Sequence, residues 1–251
     1  MKKLLNVYKP LGLTPFQLIK EFKSQNQNYK DIPISHAGKL DPLAEGVMLL
    51  VAGKEIKNLS KYMKLDKEYI AKILFGFSTD SYDIQGISKK NKKEINITKL
   101  KDLISKLKGE YEQTLPVFSG RIVNGKPLFY WARKNKLNQI KIPKEIVKIY
   151  DAKLNKIYKI NSEDLLNEIK NKINLLNGDF RQKEILDSWE KILKNLKEEY
   201  FIAEVLFNVS SGTYIRSIAN DIGNRLGSGA VLFNLIRTKV GEFDIKDSIR
   251  L

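Results

Sequence analysis

The stretch PISHAGKLDPLAEG, residues 33–46, contains two prolines, two glycines and the only histidine of the chain, His36. A proline disfavours helical backbone at the residue before it, so Asp41, which precedes Pro42, favours an extended conformation. We therefore predict a loop over residues 33–42 that carries Asp41. An aspartate in such a loop usually forms an Asx turn and a lone histidine is usually structural, so neither residue indicates a function by itself.

The composition is that of a folded, strongly basic protein. The 251 residues include 45 Lys and Arg against 29 Asp and Glu, a formal net charge of +16, and 42% of them are hydrophobic. A chain of this length forms one large domain or two small ones, and because no linker interrupts it we predict a single domain over residues 1–251. The lack of cysteine and the single histidine exclude disulfides, thiol nucleophiles and multi-histidine metal sites, so we expect no metal.

The positive charge favours a polyanionic partner, most commonly a nucleic acid. Basic clusters at residues 23–30, 89–93 and 144–159 lie between apolar segments. Such stripes give salt-sensitive affinity for phosphates without sequence specificity. The alternative, a merely solvated surface, stays open on charge alone.

The N-terminus carries no targeting signal that we recognise. Its apolar run is only Leu4 and Leu5, which is too short for a signal peptide. No other segment approaches the roughly eighteen uncharged apolar residues of a membrane span. We therefore expect a cytoplasmic protein that does not cross a membrane.

Local patterns predict the first helix and two strands. Thr14 suits an N-cap, Pro15 the first helical position and Gln17 the reciprocal position of a capping box. Alternating apolar residues predict strands over residues 68–77 and 201–209.

Further helices follow from apolar residues at helical spacing. After a turn at residues 210–213, the spacing predicts a helix with Arg216 in its first turn and Gly227 just past its end. Apolar stripes over residues 162–178 and 182–199 predict a helical hairpin. We interpret these stripes as packed against the chain's own domain rather than as a partner-binding surface.

These segments together resemble the TruB family of tRNA pseudouridine synthases. Residues 36–46 match the family pattern H-x-G-T-L-D-P-x-A-x-G except that Lys39 replaces the threonine. The resemblance covers about residues 4–160 and 200–251. Other motifs follow in the family's order: KPLGLTPF (9–16), KEY (67–69), STDSYDIQG (78–86), NGKPLFYWAR (124–133), SSGTYIRSIANDIG (210–223) and LFNLIRT (232–238).

The resemblance implies a fold and an activity. The fold would be the α+β pseudouridine synthase fold, a mixed, mostly antiparallel central sheet flanked by helices, with the hairpin at about 160–199 as an insertion and without a C-terminal PUA domain. The activity would be the isomerisation of the T-arm uridine at tRNA position 55 to pseudouridine. The partner would be the T-arm of tRNA, no cofactor would be needed, and we expect a monomer.

The resemblance also assigns three catalytic residues. Asp41 would act on an everted nucleotide, and Arg216 would hold its carboxylate ionised. Tyr69 would pack against the target base and serve proton transfer at C5. The sequence leaves open whether Asp41 attacks C1′, adds to C6 of the base or removes the 2′ proton.

Four further residues are candidates for substrate binding. By resemblance, His36 would occupy the stacking space that the everted nucleotide vacates. Tyr214 and Leu235 would form walls of the uridine pocket, and Asp83 would lie near the catalytic pair in an orienting role. Three cations are candidates for contacts with the tRNA elbow: Arg121, Lys126 and Arg133.

Two other functions and one hypothesis about the hairpin accompany this interpretation. The chain could be a non-catalytic RNA-binding or tRNA-folding protein on the same scaffold, or an RNA-guided synthase that acts on ribosomal RNA with partner proteins. The hairpin could supply RNA-backbone contacts through its lysines. These are Lys170, Lys172, Lys183, Lys191, Lys194 and Lys197.

Overall fold

The computed structural model describes residues 2–91 and 93–251. Its helices are α1 (Pro15–Gln25), α2 (Leu59–Met63), α3 (Ile97–Ser105), α4 (Leu128–Arg133), α5 (Ser162–Asn174), α6 (Gln182–Leu193) and α7 (Ile215–Leu226). Its strands are β1 (Leu4–Lys9), β2 (Ile34–Ala37), β3 (Ala44–Ala52), β4 (Lys67–Phe75), β5 (Phe77–Thr79), β6 (Ser88–Lys90), β7 (Gly109–Thr114), β8 (Ile122–Val123), β9 (Lys126–Pro127), β10 (Lys144–Asn161), β11 (Glu199–Val209), β12 (Ala230–Val240) and β13 (Phe243–Asp244).

A nine-stranded sheet forms the centre of the molecule. Its strands follow the order β1-β3-β12-β4-β11-β10-β7, with β2 beside β3 and β13 beside β12. In the described part of the chain, all of its pairings are antiparallel except the one between β12 and β3. The predicted fold class, a mixed and mostly antiparallel sheet flanked by helices, is confirmed.

The two predicted strands lie side by side at the centre of this sheet, as β4 and β11. One set of alternating residues, including Ile73 and Val205, is buried beneath α7. The single strand predicted over residues 68–77 is wrong at its end. Gly76 has a φ of +96°, in the left-handed region that glycine tolerates, and there the chain turns from β4 into β5.

The first helix and its cap form as predicted. Thr14 accepts a hydrogen bond from the backbone of Gln17, and the Gln17 side chain accepts one from the Thr14 backbone in return. Pro15 is the first residue of α1. Leu18 and Phe22 anchor the helix in the core, so its start and its buried face are both fixed by local sequence.

The helical hairpin of α5 and α6 covers the opposite face of the sheet. Its apolar stripes, which include Ile169 and Trp189, are buried in one cluster with Leu74 and Phe233 of the sheet. They therefore pack against the chain's own domain, as the periodicity predicts. The second helix is shorter than predicted, because α6 ends at Leu193 rather than at residue 199.

The loop predicted over residues 33–42 is partly wrong. Ile34–Ala37 form β2, which pairs antiparallel with β3 and sets His36 opposite Leu50. Strand pairing needs only backbone N–H and C=O groups. Because both prolines lie outside β2, each residue of this strand keeps the N–H group that pairing uses. The loop is thus confined to residues 38–43, and Asp41 lies on it as predicted.

The longest strand, β10, coincides with a basic cluster for which no strand is predicted. Its 18 residues pair with β11, and its first part also pairs with β7. Register shifts between Ile149 and Asp151 and between Leu154 and Lys156 interrupt the alternation of buried and exposed side chains. This broken period explains why the strand is not visible in the sequence.

The helices are amphipathic and short. The α5 helix, at 13 residues, buries Leu165 and Ile169 and exposes charged residues on its other face. Across residues 2–91 and 93–251, none of the helices combines the length and the apolar character needed to span a bilayer.

We expect Trp189→Ala to lower the free energy of unfolding by about 3–5 kcal/mol, because truncating a buried tryptophan leaves a cavity. Trp189 is fully buried, its ring centroid lies 5.1 Å from that of Phe77, and its Nε1 donates to the Ile84 carbonyl at 3.1 Å. Urea denaturation followed by circular dichroism measures the change. Trp131→Ala, at a partly exposed site on α4, is the control and should cost clearly less. Equal losses for the two variants would contradict the packing of the hairpin.

Candidate active site

An ion pair between Asp41 and Arg216 lies at the centre of the site. Nε of Arg216 is 2.9 Å from Oδ2 of Asp41, and the side chains are 5% and 43% exposed. Arg216 lies in the first turn of α7, as predicted. Its Nε–H has no acceptor in line among the described residues, so the contact with Asp41 is a charge contact rather than an aligned hydrogen bond. A buried cation thus meets a half-exposed carboxylate.

Two groups behind Arg216 fix its guanidinium. Nη1 donates to the Ser81 carbonyl at 3.0 Å, and Nε lies 3.6 Å from Oδ2 of Asp83. Burial alone would lower the pKa of Arg216, but the carboxylates of Asp41 and Asp83 outweigh this effect and raise it. Arg216 therefore presents a permanent positive charge to Asp41.

Asp83 is the second carboxylate near Nε of Arg216, and unlike Asp41 it is almost fully buried. Its Oδ1 accepts hydrogen bonds from the Ser81 hydroxyl at 2.5 Å and from the Gln85 backbone at 3.0 Å. Burial raises the pKa of Asp83 to about 6, against the opposing effects of Arg216 and Ser81. This position suits the orienting role suggested by the resemblance better than direct contact with a substrate.

A buried lysine braces the loop that carries Asp41. Nζ of Lys9 donates to the Leu13 carbonyl at 2.7 Å and to the Pro42 carbonyl at 3.3 Å, and the Gly12 backbone donates to the same Pro42 carbonyl at 2.8 Å. Burial lowers the pKa of Lys9 to about 7, although the Asp41 carboxylate opposes the shift. The N-terminal turn and the Asp41 loop are thereby held together.

Arg237 fixes the other end of this loop. The side chain is 1% exposed, and it donates to the carbonyls of Val47 at 2.6 Å, Lys39 at 3.2 Å and Gly38 at 3.3 Å. Sequence reasoning gave neither Arg237 nor Lys9 a role. Both belong to motifs that carry the resemblance, and this membership is the signal that could have found them.

A cavity of about 410 Å³ opens in front of the ion pair. Among the described residues, its lining includes every predicted site residue except Asp83: His36, Asp41, Tyr69, Tyr214, Arg216 and Leu235. Further cations line it: Lys39, Lys67, Arg121 and Arg237. A lining with this excess of positive charge suits the phosphates of a nucleic acid.

The sheet and α7 place the apolar walls of this cavity. Tyr69 on β4 is 7% exposed, and Leu235 on β12 is 6% exposed. Tyr214 directly precedes α7, and its backbone donates to Oε1 of Gln113 at 2.8 Å. Burial and the Asp41 carboxylate raise the pKa of Tyr214, so its hydroxyl is neutral near pH 7. Gln113, which sequence reasoning missed, thus positions one wall of the cavity.

His36 lies at the cavity from the end of β2. Its Nδ1 is buried and has no hydrogen-bond partner among the described residues. Burial, together with the nearby charges of Lys39 and Arg237, lowers the pKa of His36 below its usual value of 6.5. The imidazole is therefore neutral near pH 7, which favours stacking over a charged contact with phosphate.

A second cavity, of about 370 Å³, borders the ion pair as well. Asp41, Asp83 and Arg216 line it, together with Phe180 and Arg181 from the turn between α5 and α6. The ion pair therefore lies between two cavities. The sequence gave no indication that the hairpin reaches the site.

Two of the three candidates for contacts with the tRNA elbow line these cavities. Arg121 lines the first cavity, and its Nη2 lies 2.5 Å from Oε1 of Glu145. Arg133 lines the second cavity and donates from Nη2 to the Asp179 carbonyl at 2.6 Å. Lys126 lies with its Nζ 5.6 Å from the Tyr130 ring centroid. Their role toward tRNA stays a prediction.

A larger cavity, of about 850 Å³, lies away from this site, between β6 and the start of β11. Its lysines Lys90 and Lys159 pair with Glu198 at 2.6 Å and Glu199 at 2.8 Å. Since these pairs neutralise much of its charge and its lining lacks the Asp41–Arg216 pair, size alone does not make it a candidate active site.

The sequence matches the model of one protein family and many curated proteins. Residues 26–178 match the TruB family pseudouridylate synthase, N-terminal domain. A tRNA pseudouridine synthase B from Clostridium tetani is 32% identical over 253 residues, which is 100% of this chain and 72% of the relative. The protein of the same name from Endomicrobium trichonymphae is 33% identical, over 98% of this chain and 88% of the relative.

Solved structures share the fold at lower identity. A chain in the crystal structure of a Cbf5-Nop10-Gar1 complex superposes with a TM-score of 0.61 at 19% identity, over 99% of this chain and 52% of that one. A chain of an H/ACA RNP bound to a substrate RNA containing 2′-deoxyuridine gives a TM-score of 0.58 at 18% identity, over 98% and 50%. This chain thus spans about half the length of those solved chains.

The fold and the matches together define a class of isomerases, the pseudouridine synthases. Within this class, the chain belongs to the TruB family. The predictions of the family and of the enzyme class are confirmed. The roles of the individual site residues stay predictions.

We expect the titration midpoint of His36 to lie below 6.5, because burial and neighbouring cations oppose the imidazolium. Since this is the only histidine, its ring gives a single signal in a pH titration of the untagged protein by NMR. Lys39→Ala should raise this midpoint. In the urea-unfolded chain, which is the control, the His36 imidazole should titrate at about 6.5. A folded-state midpoint at or above that of the unfolded chain would contradict the neutral imidazole.

Proposed function

We propose that this chain converts the T-arm uridine at tRNA position 55 to pseudouridine, with Asp41 acting on an everted nucleotide. The observation that carries the proposal is the contact of the Asp41 carboxylate with the buried Arg216 guanidinium beside a cationic cavity. The curated relatives are named tRNA pseudouridine synthase B, which supports tRNA as the substrate.

The reaction is an isomerisation in which every atom is conserved. The bond from N1 of the base to C1′ of the ribose breaks, the base turns within the site, and C5 bonds to C1′. The proton leaves C5 and N1 gains one, so neither an oxidant nor a reductant is needed. The site has to hold the free base, supply a group that acts on the nucleotide, and move one proton.

Asp41 is suited to the first chemical step. A carboxylate can attack an electrophilic carbon or take a proton and later be expelled. Arg216 lies against the Asp41 carboxylate, and because Ser81 and Asp83 hold its guanidinium, it fixes the position of the positive charge that this carboxylate faces. The half-exposed Asp41 is accessible to a nucleotide that enters the cavity.

The apolar walls are suited to holding the base while it turns. Tyr69 offers a ring for stacking and a hydroxyl for proton transfer at C5, and Tyr214 and Leu235 line the same cavity. A base that is detached for one step must be kept from leaving, and close apolar walls do this without fixing one orientation.

His36 and the cations are suited to the RNA around the target. Everting a nucleotide costs a few kcal/mol of stacking, and the neutral imidazole of His36 can replace part of it. Lys39 at the cavity is available for phosphates, and Arg121 would exchange its ion pair with Glu145 for one. Of the hairpin lysines, Lys170 pairs with Glu190 at 2.6 Å, and Lys172 is only 15% exposed, with its Nζ 3.7 Å from the Phe233 ring centroid. The remaining four would therefore make any backbone contacts: Lys183, Lys191, Lys194 and Lys197.

The remaining predictions concern the whole protein. We propose that residues 1–251 act as one catalytic domain, since the hairpin shares a buried cluster with the central sheet. The cytoplasmic location and the monomeric state stay predictions.

We expect Asp41→Asn to lower the rate of pseudouridine formation by more than about 10³-fold, as removal of an essential nucleophile does. Binding of tRNA should persist, because the amide occupies the volume of the carboxylate. Carbodiimide treatment and primer extension on transcribed tRNA map the product, and filter binding measures affinity. A retained rate would overturn the role of Asp41.

The same assay separates the alternative functions. The purified chain should modify an isolated T-arm stem-loop at position 55 without a guide RNA. Modification only in the presence of a guide would favour an RNA-guided synthase, and binding without modification would favour a tRNA-folding protein. A product at another uridine would correct the proposed position.

A further inference from the structure

We propose that Arg181, at the tip of the helical hairpin, is a positioning residue for the catalytic pair. It fixes Asp80 and, through the turn at residues 79–87, the guanidinium of Arg216. The inference rests on the proposed function, because its measurable consequence is the rate of pseudouridine formation.

Arg181 makes three contacts with the active-site side of the molecule. Nη1 lies 2.8 Å from Oδ2 of Asp80, Nη2 lies 3.3 Å from Oδ1, and the guanidinium carbon lies 4.2 Å from the ring centroid of Phe118. Bidentate pairing fixes the orientation of both groups as well as their distance. Arg181 thus joins the hairpin to Asp80 and to a wall of both cavities.

The backbone of Arg181 is itself specialised. Its φ is +63°, a left-handed conformation that non-glycine residues seldom adopt, and it occupies the N-cap position of α6 without a side-chain capping hydrogen bond. Such conformations persist where the surroundings determine them, and they concentrate at functional sites. The side chain of this residue pairs with Asp80 instead of capping the helix.

The turn at residues 79–87 is compact enough to transmit the position of Asp80. Oδ1 of Asp80 also accepts a hydrogen bond from the Ile87 backbone at 2.9 Å, which closes the turn. Gly86 lies so close that a Cβ on it would come within 2.5 Å of this Oδ1. Thr79 donates to the Asp83 carbonyl at 2.7 Å. A displaced Asp80 would therefore displace the residues between it and Ile87.

Two residues of this turn, Ser81 and Asp83, hold the guanidinium of Arg216. The Ser81 carbonyl accepts from Nη1, and the Asp83 carboxylate faces Nε at 3.6 Å. The contacts form one chain from Arg181 through Asp80 and the turn to Arg216 and Asp41. The links at Arg181 and at Arg216 are direct contacts, and the backbone of the turn joins Asp80 to Ser81 and Asp83.

The helices α5 and α6 contribute stability, whereas Arg181 in the turn between them contributes position. Trp189 is buried and bonds to the Ile84 carbonyl, so the body of the hairpin supplies stability. The N-terminal loop packs on the hairpin as well, because a Cβ on Gly12 would lie 2.6 Å from the Leu175 carbonyl oxygen. The Asp80–Arg181 pair is partly exposed, with side chains 36% and 23% accessible, and such pairs contribute little to stability.

The test measures kcat and KM on a T-arm stem-loop for Arg181→Ala, Arg181→Lys and Asp80→Asn. We expect kcat to fall about 10–100-fold in Arg181→Ala with KM and the thermal unfolding midpoint little changed, because a small misplacement of a catalytic group has this effect. Arg181→Lys should recover part of kcat, since lysine keeps the charge without the bidentate geometry. Glu184→Gln, exposed on the same helix, is the matched control.

A double variant completes the test. Asp80→Asn combined with Arg181→Ala should lower kcat no further than either change alone, because both remove one interaction. An unchanged kcat in Arg181→Ala, or a loss confined to KM with a weaker salt dependence, would overturn the inference, and the second result would assign Arg181 to RNA binding. If the wild-type chain forms no pseudouridine, the proposed function fails instead.

Discussion

Burial of the Arg216 charge is the constraint on which the rest of the site depends. A buried cation is costly unless carboxylates and carbonyls surround it, and breaking such a group by removing one partner costs several kcal/mol. Here Asp83 and Ser81 meet the guanidinium from inside the molecule and Asp41 meets it from the solvent side. Three segments distant in sequence, the Asp41 loop, the turn at residues 79–87 and α7, must therefore converge on one point, and the central sheet sets their positions.

The parallel pairing of β12 with β3 completes this convergence. It sets Arg237 beside Gly46, where a Cβ would come within 2.2 Å of the Arg237 carbonyl oxygen. The close approach allows the Arg237 side chain to reach the carbonyls of Gly38 and Lys39. The reactive loop is therefore held by buried cations at both ends, Lys9 and Arg237, while Asp41 itself stays accessible. Within the six residues of this loop, the two ends are fixed and the reactive residue between them is accessible.

Local rules predict the elements whose pattern is uninterrupted, and they fail where tertiary contacts decide. The capping box at Thr14, the strand β11 and the start of α7 follow from their own residues. The strand β10 does not, because its bulges break the period of two. The contact of Asp41 with Arg216 was expected only from the family resemblance, since no local pattern joins residues so far apart. The burial of Lys9 was missed altogether, because a lysine beside a turn such as Pro10-Leu11-Gly12 ordinarily lies in water.

The tight contact of Gly12 with Leu175 has a consequence for the history of the chain. Any larger residue at position 12 would push the end of α5 away, and any lengthening of α5 would press on the N-terminal turn. Because Gly12 also has a φ of +88°, its backbone disfavours any other residue even if Leu175 were to move. A comparison of descendants of this sequence should show glycine inherited unchanged at position 12, even where the surface around it diverges freely.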